Sequence, residues 1–101
     1  MPQLIIRYAV TEDAGAAEVA AAVESAFQAL HAAAPAGVRF TYGRVTGTKD
    51  FVALLELDEG VENPLPAIEA ARALQATVGK WAVGSPAPVP FELLGSYGIN
   101  R

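Results

Sequence analysis

The chain contains no cysteine. Disulfides, thiolate nucleophiles, iron–sulfur clusters and cysteine zinc sites are therefore excluded. Charged residues are scarce, at 18% of the chain, and acids outnumber bases to give a net charge of -4. A nucleic-acid protein usually shows a basic face, so that class is not expected. No apolar run approaches the roughly twenty residues of a membrane span, and no membrane partner is expected. Met1-Pro-Gln-Leu has no basic region followed by an apolar one. A secretion signal is thus not expected, and the expected location is cytoplasmic. Glycine-rich phosphate loops, a nucleophile elbow and a Ser-His-Asp order are missing as motifs.

What is present bounds the answer further. A chain of 101 residues makes one domain, spanning 1–101. Such a chain buries roughly two-thirds of its unfolded surface, which leaves little stability to spare. Hydrophobic residues are 52% of the chain against 18% charged. That balance is high for a small monomer and hints at an oligomer.

The stretch Asp50 to Asp58 is the most apolar run bounded by charge. Read as a strand, it points Phe51, Ala53, Leu55 and Leu57 one way and Val52, Leu54 and Glu56 the other. Both sets are mostly apolar, which predicts a strand covered on two faces, inside its sheet. Gln3 to Val10 reads the same way, with Leu4, Ile6, Tyr8 and Val10 opposite Ile5, Arg7 and Ala9. Val38 to Val45 is a more polar strand and the expected edge. Gly47-Thr48-Lys49 joins it to the central stretch as a hairpin.

Two helices separate these strands. The first starts at Thr11-Glu12-Asp13, with Thr11 as the expected cap, and runs to about Ala34. Its stripe is Val19, Val23, Phe27 and Leu30, with Ala20 and Ala26. Pro35 and Gly37 end it. The second is expected to start at Asn63-Pro64, with a stripe of Ile68, Ala71, Leu74 and Val78; Gly79 or Trp81 ends it. After a Gly/Pro-rich loop, Phe91 to Tyr97 is the expected last strand.

The order is strand, helix, strand, strand, helix, strand. This predicts an α+β fold, ferredoxin-like βαββαβ, with a four-stranded antiparallel sheet and two helices on one face. Right-handed crossovers put the first and third strands in the middle. Helices on one face leave Ile5, Ala9, Val52, Leu54, Val45 and Leu94 facing water together. At about 25 cal/mol per Å², that exposure forfeits several kcal/mol. A second copy covering the open face is the simplest remedy, so a homodimer through the sheet is expected.

Element order, length, the hairpin around Gly47-Thr48-Lys49-Asp50-Phe51 and the late Gly95-Ser96-Tyr97-Gly98 make the chain resemble the dimeric α/β-barrel superfamily. Among its members it is similar to the antibiotic-biosynthesis-monooxygenase-type and stress-response-type proteins. The resemblance covers nearly the whole chain but rests on architecture. It implies a dimeric α/β barrel and an aromatic or polyketide-like ligand, or haem, between sheet and helices. The haem-degrading branch carries an Asn on the first strand, a Trp early in the second helix and a His soon after. Here the first strand has no Asn, Trp81 comes at the end of the second helix, and His31 lies in the first. These departures count against haem degradation, and no cofactor is expected.

The candidate site residues are few. His31 is the one group expected to titrate near neutral pH. Its place near a helix end suits a cation beside the dipole; the alternative is a catalytic role in a pocket there. Tyr8 and Tyr42 share the apolar face with Phe40 and Phe51. They form either an orienting wall for a flat ligand, with catalysis as a further option, or ordinary core. Trp81 is a ligand contact over a pocket or a packing anchor. Arg7 and Glu56 share the other face, as a ligand-binding pair or an interface salt bridge. Asp50, Asp58, Glu59 and Glu62 straddle opposite strand ends, so no metal site is expected.

Two functions follow as expectations. The first is a small homodimer binding a hydrophobic or aromatic molecule between sheet and helices; as an enzyme it would be a cofactor-independent monooxygenase. The alternative is a non-catalytic α/β-barrel protein with a structural or stress-response role. A pocket of roughly 300 Å³ favours the first, and a solid core the second.

Overall fold

A computed structural model describes residues 3–84, 86–95 and 97. It contains β1 (Gln3–Ala9), α1 (Asp13–Ala33), β2 (Val38–Arg44), β3 (Asp50–Leu57), a 3-10 turn (Leu65–Ala67), α2 (Glu69–Trp81) and β4 (Val89–Pro90). The strands form one sheet in the order β2-β3-β1-β4, and every neighbouring pair is antiparallel. This α+β arrangement is compatible with a ferredoxin-like fold. β1 and β3 are central, as their two-sided apolar pattern requires.

Cross-strand partners share a face. Counting back from the hairpin sets Phe40 against Leu55 and Tyr42 against Ala53; β1 then aligns Leu4 with Leu55 and Tyr8 with Phe51. These residues face the helices. One buried cluster joins Tyr8, Val10 and Phe51 to Ala16, Val19 and Ala26 of α1 and Leu74 of α2. A second joins Leu55 and Leu57 to Leu65 and Ala71. The α1 stripe is as expected except for Ala20, which is exposed. Ala16 is buried in its place, one turn earlier.

The hairpin closes through the Val45 N–H to the Asp50 carbonyl at 2.9 Å, with Gly47 at φ 79°. Gly37 opens β2 at φ 75°, and a Cβ there would meet Val61 at 2.8 Å. Only glycine fits that corner. The last residue before Pro35 is less comfortable. Ala34 closes α1 in the left-handed conformation at φ 46°, donating to the Leu30 carbonyl at 2.7 Å.

Several boundaries differ from the sequence reading. Glu12, not Thr11, flanks α1, and no side chain caps it. The Thr11 N–H instead donates to the Trp81 carbonyl at 3.2 Å, because the end of α2 comes back against the end of β1. Asn63 does not cap α2; it precedes Pro64, which flanks the 3-10 turn, and its Oδ1 accepts from the Leu65 N–H at 3.0 Å. The extended Ile68 then separates this turn from α2. Gly79 lies inside α2, which runs on to Trp81.

The last strand is Val89–Pro90, not Phe91 to Tyr97. Val89 pairs with Ile5 and Pro90 with Leu4, and the Phe91 N–H donates to the Gln3 carbonyl at 2.8 Å. Among the described residues, Leu93 and Leu94 have no aligned partner on β1. Leu94 is accordingly 89% exposed and off the sheet. Of Gly95-Ser96-Tyr97-Gly98, Ser96 and Gly98 lie outside the described residues.

The sheet face turned away from the helices carries Ile5, Val52, Leu54 and Val89 at its centre. Val89 replaces the expected Leu94 there and is 51% exposed. Arg7 and Glu56 lie on this face but do not meet. Arg7 is aligned with Val52, whereas Glu56 is aligned with Gln3 and Arg39. Glu56 accepts from the Gln3 amide and pairs with Arg39 Nε at 3.4 Å; Arg39 also reaches Asp58 at 3.0 Å. The expected Arg7–Glu56 pair is therefore a Gln3–Glu56–Arg39 row across three strands.

Candidate functional site

A cavity of about 350 Å³ lies between the helix-facing side of the sheet and α2. Its floor is Leu4, Ile6 and Tyr8 of β1, Ala53 and Leu55 of β3, and Phe40 and Tyr42 of β2. Leu74 and Val78 of α2 roof it, and Pro86 and Pro88 border it. The cavity exists because small residues stand where large ones would fill it. Ala53 is at its floor, and Ala71 and Gly79 are on the α2 side.

Polar groups are few. Tyr42 is aligned with Ala53 of β3 and Tyr8 with Phe51, the next residue of β3 on the same face, and their hydroxyls are hydrogen-bonded to each other. Tyr8 stacks on Phe51 at 5.5 Å between ring centroids. Tyr42 stands edge-on to Phe40 at 5.9 Å and to Phe51 at 6.5 Å. Phe40 in turn stacks on Phe27 of α1 at 5.2 Å. The expected aromatic wall is thus assembled, with its two hydroxyls at one point. Burial holds the Tyr8 phenol above the ordinary tyrosine value, and its bond to Tyr42 raises it further. Burial raises Tyr42 as well, against a lowering by Tyr8. Both phenols stay protonated at any physiological pH, so they serve as hydrogen-bonding groups and not as bases.

The other expected site residues lie elsewhere. Trp81 is not among the described lining residues. It anchors α2 to α1: a Cβ on Gly15 would lie 2.5 Å from its ring, and its Nε1–H donates to Glu18. Lys80 pairs with Glu18 at 3.7 Å and lies over the Trp81 ring at 5.2 Å. His31 is exposed in the last turn of α1. Arg7 is exposed on the opposite face of the sheet from the cavity. Among the described residues, no group of three or more His, Asp or Glu is placed to hold a metal ion.

Sequence reasoning missed Asn63 and Gln75, which line the cavity. Asn63 reads as the cap of the second helix, whereas in the fold it stands before the 3-10 turn and α2 starts at Glu69. Gln75 follows Leu74 on α2 and falls off the apolar stripe, so periodicity marks it as surface. In comparisons with known proteins, no family model, no curated protein and no solved structure matches the chain.

Proposed function

We propose that the protein binds a flat, largely apolar small molecule between its sheet and α2, and that it does so as a homodimer of the dimeric α/β-barrel kind. The observation that carries the binding reading is the cavity of about 350 Å³, walled by aromatic and aliphatic side chains around one pair of hydroxyls. Binding sites of this size are mostly apolar, with a few polar groups that fix orientation. A core filled by side chains, as a purely structural role would favour, would have no such space. The dimer reading is supported by Ile5, Val52, Leu54 and Val89 on the face that neither helix packs against. A cofactor-independent oxygenation would draw its reactivity from the ligand, with Tyr8 and Tyr42 limited to orienting it.

Binding is tested by thermal shift with flat bicyclic aromatics, comparing the natural chain with Gly79→Trp. A Cβ at Gly79 meets nothing within 4 Å, so the new side chain has room to occupy the cavity mouth. The natural chain is expected to be stabilised in proportion to ligand concentration, and the variant is not. Equal shifts in both would move the binding site elsewhere. Light scattering tests the dimer: a mass near the 10.5 kDa of one chain at micromolar concentration removes it.

A further inference from the structure

The hydroxyl pair has a polarity, and the polarity selects the ligand. Two phenols bring two O–H donors, and one of these is spent between them. Tyr8 is 7% exposed, and among the described residues its hydroxyl has no partner but Tyr42. An O–H buried without an acceptor is costly, so the Tyr8 proton goes to the Tyr42 oxygen. Both tyrosines line the cavity, but Tyr42 is the less buried of the two, and its own O–H is then left over. Accepting from Tyr8 also polarises Tyr42 into a stronger donor.

The charge of the lining points the same way. No Lys, Arg or His is among the described lining residues. A carboxylate brought into this space would lose its water without gaining a cation, which is strongly unfavourable. The amide groups of Asn63 and Gln75 are neutral, and the net charge of -4 repels anions from a distance.

We infer that the cavity takes a neutral ring bearing a carbonyl-type acceptor, that Tyr42 donates the recognising hydrogen bond, and that Tyr8 is a positioning residue that acts through Tyr42. The inference rests on the ligand-binding reading above and adds the chemical class and the division of roles.

The test uses three probes of one shape: 2-acetylnaphthalene, the hydrocarbon 2-isopropylnaphthalene and the anion 2-naphthoate. Dissociation constants are measured by titration for the natural chain, Tyr42→Phe and Tyr8→Phe. The natural chain is expected to bind the ketone about tenfold more tightly than the hydrocarbon, as one good hydrogen bond allows. The naphthoate binds more weakly than either. Tyr42→Phe abolishes the ketone's advantage, and Tyr8→Phe reduces it to about threefold. The infrared carbonyl stretch of the bound, 13C-labelled ketone separates positioning from mere packing. It is expected to be lowered in the natural chain, less lowered in Tyr8→Phe and unshifted in Tyr42→Phe. Equal binding of ketone and hydrocarbon by the natural chain overturns the inference but leaves the binding reading standing. So does a Tyr8→Phe variant that loses the advantage while Tyr42→Phe keeps it, or tightest binding of the naphthoate. Binding of none of the three overturns both.

Discussion

Gly15 and Trp81 show how one missing methyl group fixes an interface. The ring of Trp81 occupies the space a Cβ would need, at 2.5–2.7 Å, and Glu18 and Lys80 hold the ring in place. Alanine is the better helix former by up to about 1 kcal/mol. The clash is expected to win, because it reaches Trp81 Cγ at 2.7 Å, close to the backbone and not at the tip of a flexible side chain. Gly15→Ala should lower stability by about 1–3 kcal/mol in urea unfolding. The reverse holds at Gly79, where a Cβ meets nothing within 4 Å. Gly79→Ala should raise stability by about 0.5–1 kcal/mol, and a lowered midpoint would mean the helix needs glycine there. The tyrosines add a pH dependence. Tyr8 and Tyr42 are both held above the ordinary value of 10.0 in the folded chain. The unfolded chain therefore releases these protons first as pH rises, so it binds fewer protons than the folded one above pH 10.0. Their contribution is fully present below that pH and is lost above it. Stability should fall through the alkaline range, less steeply in Tyr8→Phe than in the natural chain.

At the scale of elements, the legible features were those with a period. The alternation in β1 and β3 and the α1 stripe gave strand identity, strand order and the core face. The aromatic wall followed from parity alone. Arg39 beside Glu56 was equally available, since counting back from the hairpin aligns them. Arg7 drew attention first only because it lies on a central strand. The last strand was not legible. Phe91-Glu92-Leu93 alternates well, but alternation does not say where along β1 the chain pairs, and Val89 and Pro90 are the residues aligned with Ile5 and Leu4. Nor does sequence reveal a cavity. Ala53, Ala71 and Gly79 are ordinary residues in their own elements, and only their meeting in space leaves room. The C-terminus of α1 offers a check on local strain. Ala34 holds a left-handed conformation that disfavours any side chain. Ala34→Gly should stabilise the chain by about 0.5–1 kcal/mol, as melting temperature would show.

For the whole molecule, the two sheet faces have different tasks in the proposed reading. One holds the cavity and the other the second copy. They meet at β3, whose Ala53 and Leu55 floor the cavity while Val52 and Leu54 look outward. Leu54→Arg is expected to halve the solution mass while leaving the helical circular dichroism unchanged. Ligand binding would persist in that variant, since the cavity lies on the other side. Loss of folded signal instead would show that the open face supports the single chain.

The brevity of β4 has a consequence of its own. Among the described residues, two residues of pairing and the Phe91 amide fasten the chain beyond Gly84 to β1. The hairpin of β2 and β3 is held along seven aligned pairs and closed by a tight turn. Free energies of opening follow such differences, so this molecule should not loosen uniformly. The amides of Val89 and Phe91 should exchange with solvent deuterium through local fraying, in any conditions that keep the rest folded. Those of Ala53 and Leu55 should exchange only when the whole chain unfolds. The protein would thus keep a native state with one worn edge, and an exchange map would date its parts by how firmly each is stitched.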